Sequence, residues 1–351
     1  MVVRTPAVRE HPDQLPAGRP TPHIHRGVSL RSRALVLGAR LGMGPVVRVW
    51  MAAPEFGWPL DWLDAAAGLL PRPRHTQVRP VALPNCSAER VSTPSSVAGR
   101  AILYLHGGAF LAGGLNTHRA LVSCLSTSAG APVLHVGYRM LPRHTIGSAV
   151  SDAVDGYRWL LQRGYRGSEI VVSGDSAGGY LAFMAALSMP RLGLPKPAGV
   201  VAISPITDLR PRTEAIADTP TWPVFPPSTL HVFSRYLTRA QSRITVKGEA
   251  ELLISPIAED LRDLPPVMIH AGANEILRMD AERMTDRLLR SGVPCDLHVW
   301  EGQMHAFPVV ANATRESRGA IRSIGRFVRD VTSAPDRPLP NRHRERLALH
   351  R

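Results

Sequence analysis

The chain has 351 residues, of which 44% are hydrophobic, and a formal net charge of +14. That length suits one large domain with extensions, or two domains, and there is apolar material for a sizeable core. Three widely spaced cysteines, Cys86, Cys124 and Cys295, exclude a disulfide framework and a cysteine-based metal cluster, and make a reducing, cytoplasmic setting the default.

Residues 1–27 are rich in Pro, Arg and His and lack periodicity, so a disordered basic tail is expected there. A second such tail is expected over 332–351. All basic residues except Lys196 and Lys247 are arginines, and they are partly concentrated at the two ends. No helix-turn-helix, zinc-finger or RNA-binding signature accompanies them, so solvated tails are expected rather than a nucleic-acid partner. The N-terminus has no apolar signal-like core. No run of about 18 apolar residues reads as a membrane span. The nearest stretch, 34–50, is interrupted by Arg40, Pro45 and Arg48.

Residues 28–74 carry apolar positions at helical spacing and predict two helices parted by the Pro/Gly stretch 53–59. The first is basic as well as apolar, which leaves peripheral membrane contact open, although packing on its own domain is the commoner outcome. From 75 to 94 the chain reads as weak strands and turns, and 101–105 as a stronger strand running into His106-Gly107-Gly108-Ala109-Phe110. No element is assigned between that turn and the next strand, 132–136. A helix over 146–162 and a strand from Ile170 follow. After the strand 199–203 comes an irregular segment, 212–254, with a helix at 228–238. A strand at 267–271, a helix at 280–290, a strand at 296–300 and a helix over about 311–331 complete the pattern. Alternation of this kind predicts a mostly parallel sheet with helices on both faces and a site at the carboxyl ends of the strands.

The stretch Ile170 to Tyr180 organises the chain. A β-branched run leads into Gly174-Asp175-Ser176-Ala177-Gly178, and an Ala-rich helix follows. Strand, tight turn around a serine, then helix is the context of a nucleophile elbow. A serine nucleophile needs a base, and the base needs an orienting carboxylate, in the chain order Ser, acid, His for this fold class. Of His231, His270, His298 and His305, only His305 sits in a loop after the last strand. Glu275 is the one carboxylate on the loop after the penultimate strand. Asp280 reads as a helix N-terminal charge and Asp208 as a weaker acid candidate. Candidate oxyanion donors are the amides of Ala177 and of Gly107, Gly108 and Ala109.

His106-Gly107-Gly108-Ala109-Phe110 together with Gly174-Asp175-Ser176-Ala177-Gly178-Gly179 resembles the hormone-sensitive-lipase family of α/β-hydrolases, which are serine esterases. Tyr138-Arg139, Ser204-Pro205 with Thr207-Asp208, and Met304-His305-Ala306-Phe307 extend the resemblance over roughly 75–331. It implies an α/β-hydrolase fold with a helical cap built from 28–74 and the insertion 212–254. It implies a small acyl-ester substrate, no metal or organic cofactor, and Ser176 and His305 as nucleophile and base. The family's acid is an Asp, so Glu275 is a replacement; a shifted alignment places Asn274 there instead. Gly137 and Arg143 also stand where the family often has acidic residues. Phe110, Tyr180 and Phe307 are candidate substrate-pocket residues. Amide hydrolysis on the same site and a catalytically silent small-molecule binder are the alternatives. Oligomeric state is not legible.

Overall fold

The computed structural model describes residues 22–69, 73–210, 224–226, 228–246, 249–250 and 253–333. Most of the expected tails, 1–21 and 334–351, and residues 211–223 of the insertion lie outside the described residues.

The chain starts with a short strand β1 (His23–His25), then helices α1 (Leu30–Ala52) and α2 (Asp61–Ala67). Strands β2 (Gln77–Ala82), β3 (Ser87–Ser92) and β4 (Ala101–Leu105) precede helix α3 (Leu115–Ala129). Then come β5 (Val133–Gly137), α4 (Ile146–Gln162), β6 (Ile170–Asp175), α5 (Ala177–Arg191) and β7 (Gly199–Ile203). After α6 (Ser228–Ser242) and a small hairpin, β8 (Thr245–Val246) and β9 (Glu249–Ala250), the alternation resumes. It ends with β10 (Val267–Gly272), α7 (Arg278–Arg290), β11 (Cys295–Trp300) and α8 (Arg315–Thr332).

Nine strands form one sheet in the order β1-β11-β10-β7-β6-β4-β5-β3-β2, with β6 near the middle. All neighbours run parallel except those of β3, which is antiparallel to both β2 and β5. The central strands β4, β6 and β7 are buried throughout, as unbroken apolar runs require when both faces are covered. One face packs on α4 and α5 through Leu103, Val172 and Phe183; the other packs on α3 and α8 through Ile102, Val171, Leu121 and Ile324.

The structure departs from the sequence reading in three places. Residues 23–25, assigned to the disordered tail, form the edge strand β1, in register with His298, Val299 and Trp300 of β11. Three residues carry no readable period, and pairing is supplied by the free edge of β11 and by stacked rings, with His25 over Trp300 at 3.7 Å. Helix α3, unassigned from sequence, is rich in Ser and Thr, which blurs its apolar face. Its N-terminus is capped from outside by Asp64, whose carboxylate accepts from the amides of Asn116 at 3.0 Å and Thr117 at 2.8 Å. No stretch of the sequence reads as a membrane span, yet α1 runs 23 residues through Arg40, Pro45 and Arg48 and is long and apolar enough by composition to span a membrane.

The N-terminal segment and the insertion pack on one another. The Trp50 ring meets Tyr236 of α6 edge-on at 5.7 Å, and Glu55 pairs with Arg243 at 2.6 Å.

Candidate active site

Ser176 stands between β6 and α5 with φ 54° and ψ −116°, a conformation a non-glycine residue adopts only under constraint. Its amide donates to the Ile203 carbonyl at 2.8 Å, which fixes the turn to β7. The glycines around it permit close approach: a Cβ on Gly178 would overlap the Leu105 carbonyl, where the end of β4 crosses the first turn of α5.

His305 lies on the loop after β11, with Nε2 2.9 Å from Ser176 Oγ. Its Nδ1 is 3.3 Å from Glu275 Oε2. The angle of that contact falls outside hydrogen-bond geometry, a common state of such pairs before substrate tightens them. Glu275 sits on the loop after β10 with its side chain fully buried, and Ser204 Oγ donates to its Oε2 at 2.6 Å. Ser204 Oγ in turn accepts from the Ala306 amide at 3.0 Å. One hydroxyl thus ties the carboxylate to the backbone next to His305. Sequence reading missed this brace, although Ser204-Pro205 lies at the end of β7, the strand beside β6.

The other candidates lie elsewhere. His270 and His298 stack within the sheet at 4.7 Å, and His231 is on α6. Asp208 pairs with Arg210 at 2.8 Å. Asp280 is more than a helix charge: it is buried, and its Oδ2 accepts from the Thr207 amide at 3.0 Å.

Of the four candidate oxyanion amides, Gly107 is excluded, because its N–H donates to Asp175 Oδ1 at 3.0 Å. The amides of Gly108, Ala109 and Ala177 have no acceptor among the described residues. Gly108 has φ 121°, and a Cβ there would overlap the Ala112 carbonyl; Ala109 and Phe110 are held at φ 58° and 59°. Three successive residues with positive φ make the backbone turn here instead of continuing as a helix.

Beneath this turn lies a buried polar layer that sequence reading did not find. Asp175 accepts from Tyr104 Oη at 2.7 Å, and His118 Nε2 is 3.4 Å from its carboxylate. Burial works against charge on Asp175, but the His118 charge and the hydrogen bonds from His118 and Tyr104 hold its pKa below the ordinary value. Burial likewise works against His118, but Asp175 outweighs it and raises the pKa above 6.5. His106 is different: burial, with His118 and His135 nearby, lowers it to about 3, so it stays neutral, stacked on Tyr138 at 4.3 Å.

This layer makes stability depend on pH. His118, raised in the folded state, contributes fully below its unfolded pKa of 6.5, and the contribution is lost as pH rises through the raised value. Asp175, lowered, contributes above its unfolded value of 3.8 and loses this as pH falls through the lowered one. The share of the melting temperature that this pair supplies is therefore expected to decline as pH rises above 6.5, whereas the histidines held neutral in the fold, His106 among them, work the other way below that pH. His118→Asn should lower the melting temperature at pH 6 by removing one partner of a buried pair, a change of about 3–5 kcal/mol, and flatten the profile. Scanning calorimetry of both proteins across pH checks this; parallel profiles would remove the pair from the account.

The three pocket candidates are not open walls. Phe110 and Tyr180 are buried and pack edge to face at 5.3 Å, with Tyr180 Oη donating to the Ile254 carbonyl at 2.7 Å. Phe307 is corrected outright: its ring is in a small core cluster with Trp300 and Ala320. The aromatic ring that meets His305 is Phe225 of the insertion, edge-on at 5.5 Å.

A mostly parallel sheet of this order, with a strained serine at its centre and an imidazole against it, defines the α/β-hydrolase class. A profile of the alpha/beta hydrolase fold family matches residues 102–309, more than half of the chain. Esterase LipU of Mycobacterium tuberculosis is 40% identical over 298 residues, covering 83% of this chain and all of that protein. Carboxylesterase/phospholipase LipF of the same organism is 36% identical over 337 residues, covering 94% of this chain and 89% of its own. A crystal structure of an esterase from the bacterial hormone-sensitive lipase family superposes with a TM-score of 0.70 at 30% identity, over 84% of this chain and 99% of the other. The chain belongs to the hormone-sensitive-lipase family of α/β-hydrolases. It is a serine esterase/lipase-like hydrolase of carboxylic esters.

Proposed function

We propose that Ser176, His305 and Glu275 are the catalytic triad of this esterase, and that Gly108, Ala109 and Ala177 form its oxyanion hole. The observation that carries the proposal is the 2.9 Å separation of Ser176 Oγ and His305 Nε2 on a strained elbow. Ser176 Oγ attacks the ester carbonyl carbon while Nε2 takes its proton. The new oxyanion accepts from the three amides, each of which typically supplies about 10²–10³ in rate. His305 returns the proton to the departing alcohol, leaving an acyl group on Ser176. Water then attacks the acyl carbon and gives a proton to Nε2; the bond to Ser176 Oγ breaks, the acid departs, and Nε2 returns the proton to Oγ. Glu275 holds the ring so that Nε2 faces the serine, and stabilises the imidazolium.

Short- to medium-chain acyl esters are the proposed substrates. Phe225 beside His305 supports a pocket roofed by the insertion, so α1, α2 and α6 belong to a cap over the site. A cytoplasmic location belongs to the same reading, supported by three free cysteines far apart in sequence. A fluorophosphonate probe followed by peptide mass analysis tests the nucleophile. The expected result is one adduct, on the peptide containing Ser176, with loss of hydrolysis across a chain-length series of p-nitrophenyl esters. A folded chain that hydrolyses these esters but carries the adduct on another residue would unseat Ser176.

A further inference from the structure

Helix α1 leaves an apolar surface uncovered. Leu35, Leu37, Leu41, Met43, Val46 and Val49 are all exposed, Leu41 at 70% and Val46 at 65%. A single domain rarely leaves so many large apolar side chains on one helix in water. The same helix has four arginines, Arg31, Arg33, Arg40 and Arg48, and no acidic residue. Arg31, Arg33 and Arg48 are exposed. A little further along the chain, Trp62 and Leu63 of α2 are exposed too, Trp62 at 73%.

We infer that the outward face of α1 docks on an anionic lipid surface. Apolar side chains among arginines, with no carboxylate to repel a phosphate, are the composition of a helix lying at a membrane interface. The chain's net charge of +14 adds long-range attraction to the same surface. An exposed tryptophan is an interfacial anchor. The length of α1 would also permit a span, but both of its ends are tied to the domain. Ser29, its N-cap, donates to Glu316 of α8 through its amide at 2.6 Å and its hydroxyl at 2.9 Å. Ser32 donates to Gln303 at 2.8 Å, and Thr229 of α6 donates to Met51 at 3.2 Å. A helix pinned along one side at both ends lies flat and presents its other side.

The docking would also orient the enzyme. Gly44 of α1 lies against the backbone of Val224, next to the Phe225 that meets His305, and Gln303 is two residues from His305. Lipid on the outer side of α1 therefore lies just across the helix from the segment covering the site. This orientation rests on the Ser176–His305 centre; the docking itself does not.

The test uses the full chain and the triple variant Leu37→Ser/Leu41→Ser/Val46→Ser, sedimented with vesicles of phosphatidylcholine alone or mixed with phosphatidylglycerol. The wild type is expected to pellet with the mixed vesicles at least about tenfold more than with the neutral ones, and less as salt rises. The variant is expected to stay in the supernatant. It should hydrolyse soluble p-nitrophenyl acetate at the wild-type rate, which shows that fold and active site are intact. A p-nitrophenyl ester embedded in the mixed vesicles should be cleaved more slowly by the variant. Wild type that stays in the supernatant with both vesicles overturns the docking, as does a variant that pellets equally well. A wild-type dimer that the variant breaks, with neither protein pelleting, overturns it in favour of a second copy on this face. Loss of acetate hydrolysis in wild type as well would count against the esterase site and leave the sedimentation result standing.

Discussion

Ser176→Ala is expected to remove ester hydrolysis, with kcat falling by about 10⁴–10⁶ while the fold is retained. The hydroxyl is the atom against His305 Nε2 at 2.9 Å, whereas the turn is held by the Ser176 amide on Ile203, which alanine keeps. Alanine also tolerates the crowded space between β6 and α5. His305→Ala should cost a similar factor, and the double variant little more than either single one. In the proposed triad nucleophile and base act as a unit, so once one is gone the other has nothing left to contribute. Additive losses would mean that the two groups work independently and would dismantle the pair. Stopped assays with p-nitrophenyl butyrate at high enzyme concentration measure the residual rate, and circular dichroism verifies the fold. A Ser176→Ala protein within tenfold of wild type would exclude the acyl-enzyme route.

The reasons the placement of this candidate site was legible in the sequence are physical. The elbow needs small residues at fixed offsets because a strand and a helix cross there, and Gly174 and Gly178 record that crossing. The parallel sheet was legible because β4, β6 and β7 are buried on both faces and therefore read as unbroken apolar runs. His305 and Glu275 were reached because strand order places the loops after β10 and β11 at the same sheet end. What escaped depends on contacts between residues distant in sequence. Asp64 caps α3 across 52 residues, Ser204 braces Glu275 across 71, and His118 faces Asp175 across 57. No local pattern encodes such meetings. Gly107 shows the opposite error: its place in the glycine turn suggested a free donor, yet a carboxylate from the neighbouring strand takes its amide. Phe307 was drawn into the pocket by its nearness to His305, but the left-handed Ala306 at φ 50° lies between the two residues, and the Phe307 ring packs into the core.

Glu275→Gln carries the second large effect: kcat is expected to fall by about 10²–10⁴ with KM little changed. In the proposed triad the carboxylate does two things that an amide cannot do together. Its charge stabilises the imidazolium that forms as Ser176 loses its proton, and it can only accept, so it selects the tautomer with the proton on Nδ1 and the free lone pair on Nε2. A glutamine can present its NH₂ to Nδ1 and favour the opposite tautomer, in which Nε2 has no lone pair for the serine proton. Stability should suffer less, because Gln can still accept from Ser204 at Oε1. Ser204→Ala separates positioning from charge. It removes the 2.6 Å bond to Glu275 and the 3.0 Å bond from the Ala306 amide but leaves the carboxylate in place. A loss of about 10–100-fold is expected, the usual scale for a group that orients a catalytic side chain. Because the proposed roles concern the chemical step, both losses should appear in single-turnover acylation with p-nitrophenyl butyrate. Near-wild-type acylation by Glu275→Gln would move the acid to another group. Equal losses in the two variants would mean that Glu275 acts through geometry alone, since only one of the two substitutions removes charge.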